Sequence, residues 1–328
     1  MSGAQKPNKS LRNWLVRAAG SFLFLGALFW FLPREAIIAG FSRITLGLFL
    51  SVLAVFLLGH LAAATKWWLL LDRAVPLRVA FRAHFAGLAA NLCLPGAVGG
   101  DAVRAGIAHV AMQDGPKLAA GSVADRMIDM VALAFLALAG ALALRGMSGG
   151  LTLAIEAGVL LLVLLLLTVY GLPFFVQKAW AAFPRLPARG IAEKVALSFS
   201  ALGRRPWLLL ITLLISVVIQ AVFVILAVKL AVAAGVDIPM AAWFFAWPLA
   251  KIIAVLPISL GGLGVRETSL AALLVPYGAA AAQVVAAGLI WQAVLFTGGA
   301  IGALVLVLSG SGLRMSVPSN RKERRVDL

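Results

Sequence analysis

Six stretches of this chain are long and apolar enough to cross a bilayer, which takes a helix of about 20 mostly apolar residues. They run Trp14 to Leu32, Ile44 to Leu71, Leu118 to Leu144, Leu151 to Val176, Pro206 to Ala234 and Ala279 to Ser309. Glycine, proline or charged residues bound each stretch and can end a helix there. Backbone in hydrocarbon must satisfy its own hydrogen bonds, and a helix does so within one segment. Composition agrees: 63% of the 328 residues are hydrophobic, 12% are charged, and the mean hydropathy is +1.04. Soluble domains run about 45–50% apolar and about 25% charged, so secreted, cytosolic and disordered classes are excluded. The expected fold class is all-α, a polytopic membrane protein with a single transmembrane domain over residues 1–313 and a basic tail over 314–328. Lys6, Lys9, Arg12 and Arg17 precede the first stretch as they would a signal peptide. Phe29-Trp30-Phe31-Leu32-Pro33 is no small-residue cleavage site, so that stretch reads as a retained helix.

A net charge of +16 would suggest nucleic acid in a soluble protein; here its location decides its meaning. With the amino terminus in the cytoplasm, that side holds Lys6 to Arg17, Lys66 to Arg126, Lys178 to Arg205 and the tail from Arg314, together 22 of the 28 basic residues. Only Arg34, Arg43 and Arg145 fall on the opposite side. The excess is therefore read as the positive-inside bias of a cytoplasmic (inner) membrane protein with both termini in the cytoplasm, anchored on anionic inner-leaflet lipids and not on nucleic acid. Cys93 is the single cysteine, which rules out an intramolecular disulfide or a cysteine metal cluster. His60, His84 and His109 have no metal-ligand spacing, and no phosphate-loop motif is present, so neither metal nor cofactor is expected.

Two further apolar segments, Leu77 to Gly100 and Trp243 to Gly262, are broken by proline and glycine. The first ends Leu94-Pro95-Gly96-Ala97-Val98-Gly99-Gly100-Asp101-Ala102-Val103-Arg104; the second ends Leu256-Pro257-Ile258-Ser259-Leu260-Gly261-Gly262-Leu263-Gly264-Val265-Arg266. The shared L-P-x3-G-G-x2-V-R pattern recurs at an offset of 162, which also carries Ile44 to Pro206 and Lys117 to Ala279. The two copies are taken as residues 44–145 and 206–310, and an odd number of crossings between equivalent points inverts the second. Inverted copies with interrupted helices at matching positions point to a transporter with a site near the midplane. The breaks at Pro95 and Pro257 free backbone groups that lipid cannot satisfy, so both segments are expected to be re-entrant hairpins. Short helices should follow, Asp101 to Met112 and Leu263 to Val275.

At a helix start, exposed amides and the positive end of the dipole favour an anion. Gly99-Gly100 and Gly261-Gly262 supply the turns, and Arg104 and Arg266 each follow four residues past the second glycine, as a fork suited to phosphate. Local pairing, Arg104 with Asp101 and Arg266 with Glu267, is the competing reading. Asp101 and Glu267 could bind a cationic headgroup, carry a coupling proton or cap their helices. Asp125, Arg126 and Asp129 open the third span, with both carboxylates on one face, and read as a solvated or paired interfacial cluster. Lys229 and Lys251 could both snorkel, and of the two only Lys251 is placed to line a pathway.

Asn91-Leu92-Cys93-Leu94-Pro95 through Arg104, the Asp125-Arg126-x2-Asp129 element, and Pro257 through Glu267 resemble the flippase-like membrane family named after the lysyl-phosphatidylglycerol synthetase transmembrane region. Asp125 stands where the family pattern has Glu. Bifunctional members join a lipid-translocating membrane domain to a soluble aminoacyl-transferase domain. None precedes Leu328, so the resemblance implies translocation without lipid aminoacylation. Its implied cargo is a phospholipid or a polyprenyl or terpenoid lipid.

The expectation is a non-enzymatic protein that moves a phosphate-bearing lipid between leaflets, the headgroup passing between two hairpin tips. Its candidate binding residues are Arg104, Arg266, Asp101, Glu267, Gly99, Gly100, Gly261, Gly262, Asn91 and Lys251. One alternative is a membrane transferase or hydrolase acting on a lipid phosphate through Asp101, His84 or His109. Another is a scaffold for a lipid-synthesising enzyme.

Overall fold

Four of the six apolar stretches are uninterrupted helices long and apolar enough to cross a membrane. The computed structural model describes residues 34–93, 98–145, 171, 174–175, 178–182, 189–255 and 264–308. The stretch Trp14 to Leu32 lies outside them, as does nearly all of Leu151 to Val176. A short α1 (Arg34–Ser42) leads into α2 (Leu46–Leu70), whose first turn is capped by the Thr45 hydroxyl accepting the Leu48 N–H at 3.2 Å. Then come α3 (Leu77–Cys93), α4 (Val98–Met112), α5 (Gly115–Arg145) and α6 (Arg189–Gly203). Pro206, whose missing N–H costs nothing at a helix start, opens α7 (Pro206–Ala233). After it come α8 (Met240–Ile253), α9 (Val265–Leu274), a 3-10 turn (Val275–Tyr277) and α10 (Ala281–Leu308). There is no strand among the described residues. Large apolar side chains such as Leu50, Leu58, Leu214, Val218 and Leu304 point outward, as lipid contact requires of a multi-pass membrane protein.

Adding 162 to the bounds of α2, α3, α4 and α5 lands within five residues of those of α7, α8, α9 and α10. Helix is present at both expected places, but in the first copy Gly99 and Gly100 lie within its first turn and not before it. It begins at Val98, before Asp101, in the first copy and at Val265, after Leu263, in the second. The copies also exchange their packing: α5 of the first rests on α8 of the second, and α10 of the second rests on α3 of the first. Matched glycines make both contacts. A Cβ on Gly140 would sit 2.3 Å from the Phe245 nitrogen, and one on Gly302 would sit 2.5 Å from the Phe85 carbonyl oxygen. Without side chains there, the helix backbones touch.

The equivalent helices α2 and α7 pack against each other and run in opposite directions. Lys66, late in α2, reaches Ser216, early in α7, at 3.5 Å, whereas Phe56, earlier in α2, meets Phe223, later in α7, with ring centres 5.4 Å apart. Their ends define two faces. On one, the Asp72 carboxylate after α2 bonds to Lys117 at the start of α5 (3.4 Å) and to Arg205 before α7. The Arg205 bond, with Lys117 beyond it, holds the Asp72 carboxyl below the usual carboxylate range. On the other face, Gly40 of α1 lies against Ala286 at the start of α10 and Ala234 at the end of α7. So α5 begins beside the end of α2, and its counterpart α10 begins beside the start of α2. The main core, with Phe56, Phe223, Trp243, Trp247, Leu270, Ile290 and Trp291, gathers α2, α7, α8, α9 and α10.

Gly140→Val and Gly302→Val force these helix pairs apart and should each lower stability by about 1–3 kcal/mol or more. Gly106→Ala, where an added Cβ meets nothing within 4 Å, should be within about 0.5 kcal/mol of the wild type. Thermal unfolding of the detergent-solubilised protein reads both.

Candidate functional site

The start of α4 is built by close backbone approach. Gly100 lies against Gly87 of α3, where a Cβ on either would meet the other's carbonyl oxygen at under 3 Å, and its N–H donates to the Asn91 side-chain oxygen at 3.0 Å. One amide expected to face an anion is therefore already taken, and Asn91 acts as the brace between the two helices. Gly99 is half-buried beside it. In the second copy the Gly264 N–H, at φ +83°, donates to Glu267 at 2.7 Å, so Glu267 caps α9. Pro95, Pro257, Gly261 and Gly262 lie outside the described residues.

Arg104 is 5% exposed and sits at the centre of a chain of alternating charges. It donates to Asp125 at 3.0 Å and lies 3.4 Å from Asp101; Asp101 accepts from Arg126 at 2.6 Å. On the far side of Asp125 stands Lys66 at 3.1 Å, which also bonds to Asp129, and Asp129 accepts from Ser216. The chain ties α2, α4 and α5 of one copy to α7 of the other. Three cations and three carboxylates make it neutral, the condition under which charge is tolerated in an apolar interior. The Arg104 guanidinium also lies over the Trp67 ring, 4.4 Å from its centre. Asp125, Arg126 and Asp129 thus form the paired cluster that their spacing suggested.

Arg266 repeats this pattern in miniature. It is 8% exposed, pairs with the fully buried Glu267, and donates to the Gly288 carbonyl (3.2 Å) and to Gln292 (3.1 Å) on α10. Trp247 lies beside it as Trp67 does beside Arg104, at 5.9 Å. Lys251 differs from both arginines. Its ammonium turns inward to the Gln220 side-chain oxygen at 2.8 Å and to the Phe223 ring at 5.6 Å, while Lys229 is exposed. Snorkelling therefore describes Lys229 and not Lys251.

Two shared rungs order these groups along the helices. Lys66 and Trp67 on α2, with Ser216 on α7, mark the Arg104 level; Phe56 and Phe223, both packed on Trp291 next to Gln292, mark the Arg266 level. At 1.5 Å per residue the levels are about 10–15 Å apart, and Gln220 with Lys251 falls between them. Beside this interval His60 and His84 share a hydrogen bond of 3.0 Å, whereas His109 is exposed. The cleft between α5, α6 and α7 is lined by Ala124, Met127, Ile128, Phe199, Leu202 and Leu209, so it is apolar and separate from the charges.

Lys66, Ser216, Gln220 and Gln292 were absent from the sequence-based site. Lys66, counted in the sequence among the basic residues of the cytoplasmic side, is 1% exposed and pairs with carboxylates between the helices. The α7 residues carried a usable signal: Thr212, Ser216 and Gln220 recur every fourth position and form a buried polar stripe in an otherwise apolar helix.

Residues 14–302 match the family model described as the lysylphosphatidylglycerol synthase TM region, and the chain belongs to that family. No curated protein matches the chain.

Lys66→Met removes the cation that Asp125 and Asp129 share, leaving Asp125 with Arg104 and Asp129 with Ser216 alone, and should cost about 3–5 kcal/mol. Adding Asp129→Asn rebalances the charge and should recover part of that loss. A double-mutant cycle on thermal stability measures the coupling, and strict additivity would contradict the network.

Proposed function

Because family membership places this chain among membrane proteins of lipid metabolism, we propose that it moves a phosphate-bearing lipid headgroup between the leaflets of the cytoplasmic membrane. On this reading α3–α4 and α8–α9 are opposed re-entrant hairpins of an inverted repeat, and the headgroup crosses between their tips while its chains stay in lipid. The observation that carries the reading is the opposite run of α2 and α7, together with the start of α5 at one end of α2 and of α10 at the other. Copies arranged so present equivalent arginine groups at two depths, as alternating access from two sides requires.

Arg104 and Arg266 are the phosphate contacts in this account. Each is held against a carboxylate, so a lipid phosphate enters by exchange: its oxygens take guanidinium N–H groups from Asp125, which keeps Lys66, or from Glu267, which keeps the Gly264 N–H. Asp101 and Glu267 receive any cationic part of the headgroup, and Asn91, Gly99 and Gly100 border it where α3 meets α4, with Gly261 and Gly262 as the counterparts of the glycine pair in the second motif. The basic residues near the Asp72 face, Arg73, Arg78, Lys117, Arg204 and Arg205, favour that face as the cytoplasmic one, with the tail from Arg314 on the same side.

In proteoliposomes carrying fluorescent phosphatidylglycerol, Arg104→Ala and Arg266→Ala, each correctly inserted, should slow dithionite-resolved lipid exchange about tenfold or more, as expected for losing a charge-assisted hydrogen bond. Exchange at the wild-type rate would make both arginines structural.

A further inference from the structure

The charges in and beside the helix interior do not all cancel, even with the exposed Arg126 counted among them. Lys66, Arg104 and Arg126 balance Asp101, Asp125 and Asp129, and Arg266 balances Glu267. Lys251 has no carboxylate within 4.0 Å among the described residues. The segments joining α3 to α4 and α8 to α9 contain no acidic residue that could serve. An unpaired ammonium turned into an apolar interior is costly and marks a functional position.

Hydrogen-bond accounting gives the missing partner its chemistry. The Lys251 ammonium carries three donors, and one goes to the Gln220 oxygen. That bond fixes the orientation of the Gln220 amide, whose NH2 donates to no group among the described residues. Four donors and one positive charge thus converge with no hydrogen-bond acceptor among the described residues, and Asp129 acts on the ammonium only from beyond 4.0 Å. From these groups, and resting on the transport reading above, we propose that Lys251 and Gln220 form a binding station for a singly charged phosphodiester, set between the Arg104 and Arg266 levels. A diphosphate would bring charge that one ammonium cannot neutralise. A diester brings one charge and two free oxygens, which match the ammonium and the amide. The Phe223 ring, three residues beyond Gln220 on α7, lies 5.6 Å from the ammonium.

The full chain in nanodiscs is titrated with dihexanoylphosphatidylglycerol, a soluble monoanionic diester, and with farnesyl diphosphate. The diester should bind more tightly and protect Lys251 from an amine-reactive ester, as mapped by mass spectrometry. Lys251→Met should weaken diester binding about tenfold or more, Lys251→Arg by no more than about threefold, and Gln220→Leu by an intermediate factor. Glu156→Gln, which alters the one acidic residue of the Leu151 to Val176 stretch, should leave binding unchanged. No diester binding by the wild type, wild-type affinity in Lys251→Met, or tighter diphosphate binding overturns the proposal. So does Glu156→Gln reproducing the Lys251→Met defect, because the counter-ion would then be internal. Absence of lipid exchange by the wild type in proteoliposomes removes the transport reading without altering these binding measurements, so the two failures are distinguishable.

Discussion

Charge that enters hydrocarbon must be neutralised where it stands, and the interior of this protein is organised by that requirement. Asp125 is the pivot. It lies between Lys66 of α2 and Arg104 of α4, and through Lys66 and Asp129 the same chain reaches Ser216 of α7. A helix bundle in lipid has little hydrophobic drive to associate, because acyl chains are as apolar as leucine. Alternating ion pairs supply a specific register in its place, and the glycines at 140 and 302 let the helices approach closely enough for short polar side chains to meet.

The two copies solve the same problem with different residues. Both put an arginine in the first turns of a short helix, give it a carboxylate and set a tryptophan beside it. The first copy draws its carboxylate from a neighbouring helix, whereas the second uses the adjacent residue, Glu267, which also caps its own helix. The Arg104 group therefore ties together α2, α4, α5 and α7, and the Arg266 group is held largely within α9 and against α10. An exchange of partners at Arg104 would be felt at α2, α5 and α7 together; at Arg266 it would stay local. This asymmetry within a duplicated frame fits a cycle in which one side opens by breaking a network and the other by a smaller shift.

Bilayer thickness made most of the frame legible. Ile44 to Leu71, Leu118 to Leu144, Pro206 to Ala234 and Ala279 to Ser309 correspond to α2, α5, α7 and α10 within three residues, because a crossing helix needs a run of apolar residues that little else in a sequence imitates. The short helices beyond the glycine pairs were legible from the duplicated motif. Side-chain partnerships were not. Asp129 meets Lys66 across 63 positions and Ser216 across 87, separations that depend on which helices pack and on their rotation, and hydropathy carries neither. The stripe Thr212, Ser216, Gln220 went unread because each residue is a small interruption in an otherwise apolar run. Lys66 was legible only as a charge near the end of an apolar stretch, because its two carboxylate partners lie on another helix.

The central claim is that the two copies enter the membrane from opposite sides around a shared charged interior. Cysteine accessibility tests it most directly, in a Cys93→Ala background with one reporter at a time, Lys117→Cys at the start of α5 or Ala280→Cys before α10. In sealed, oriented vesicles an impermeant maleimide should label the two from opposite faces, the first from the cytoplasmic face only and the second from the outer face only. Labelling of both from the same face would contradict the account.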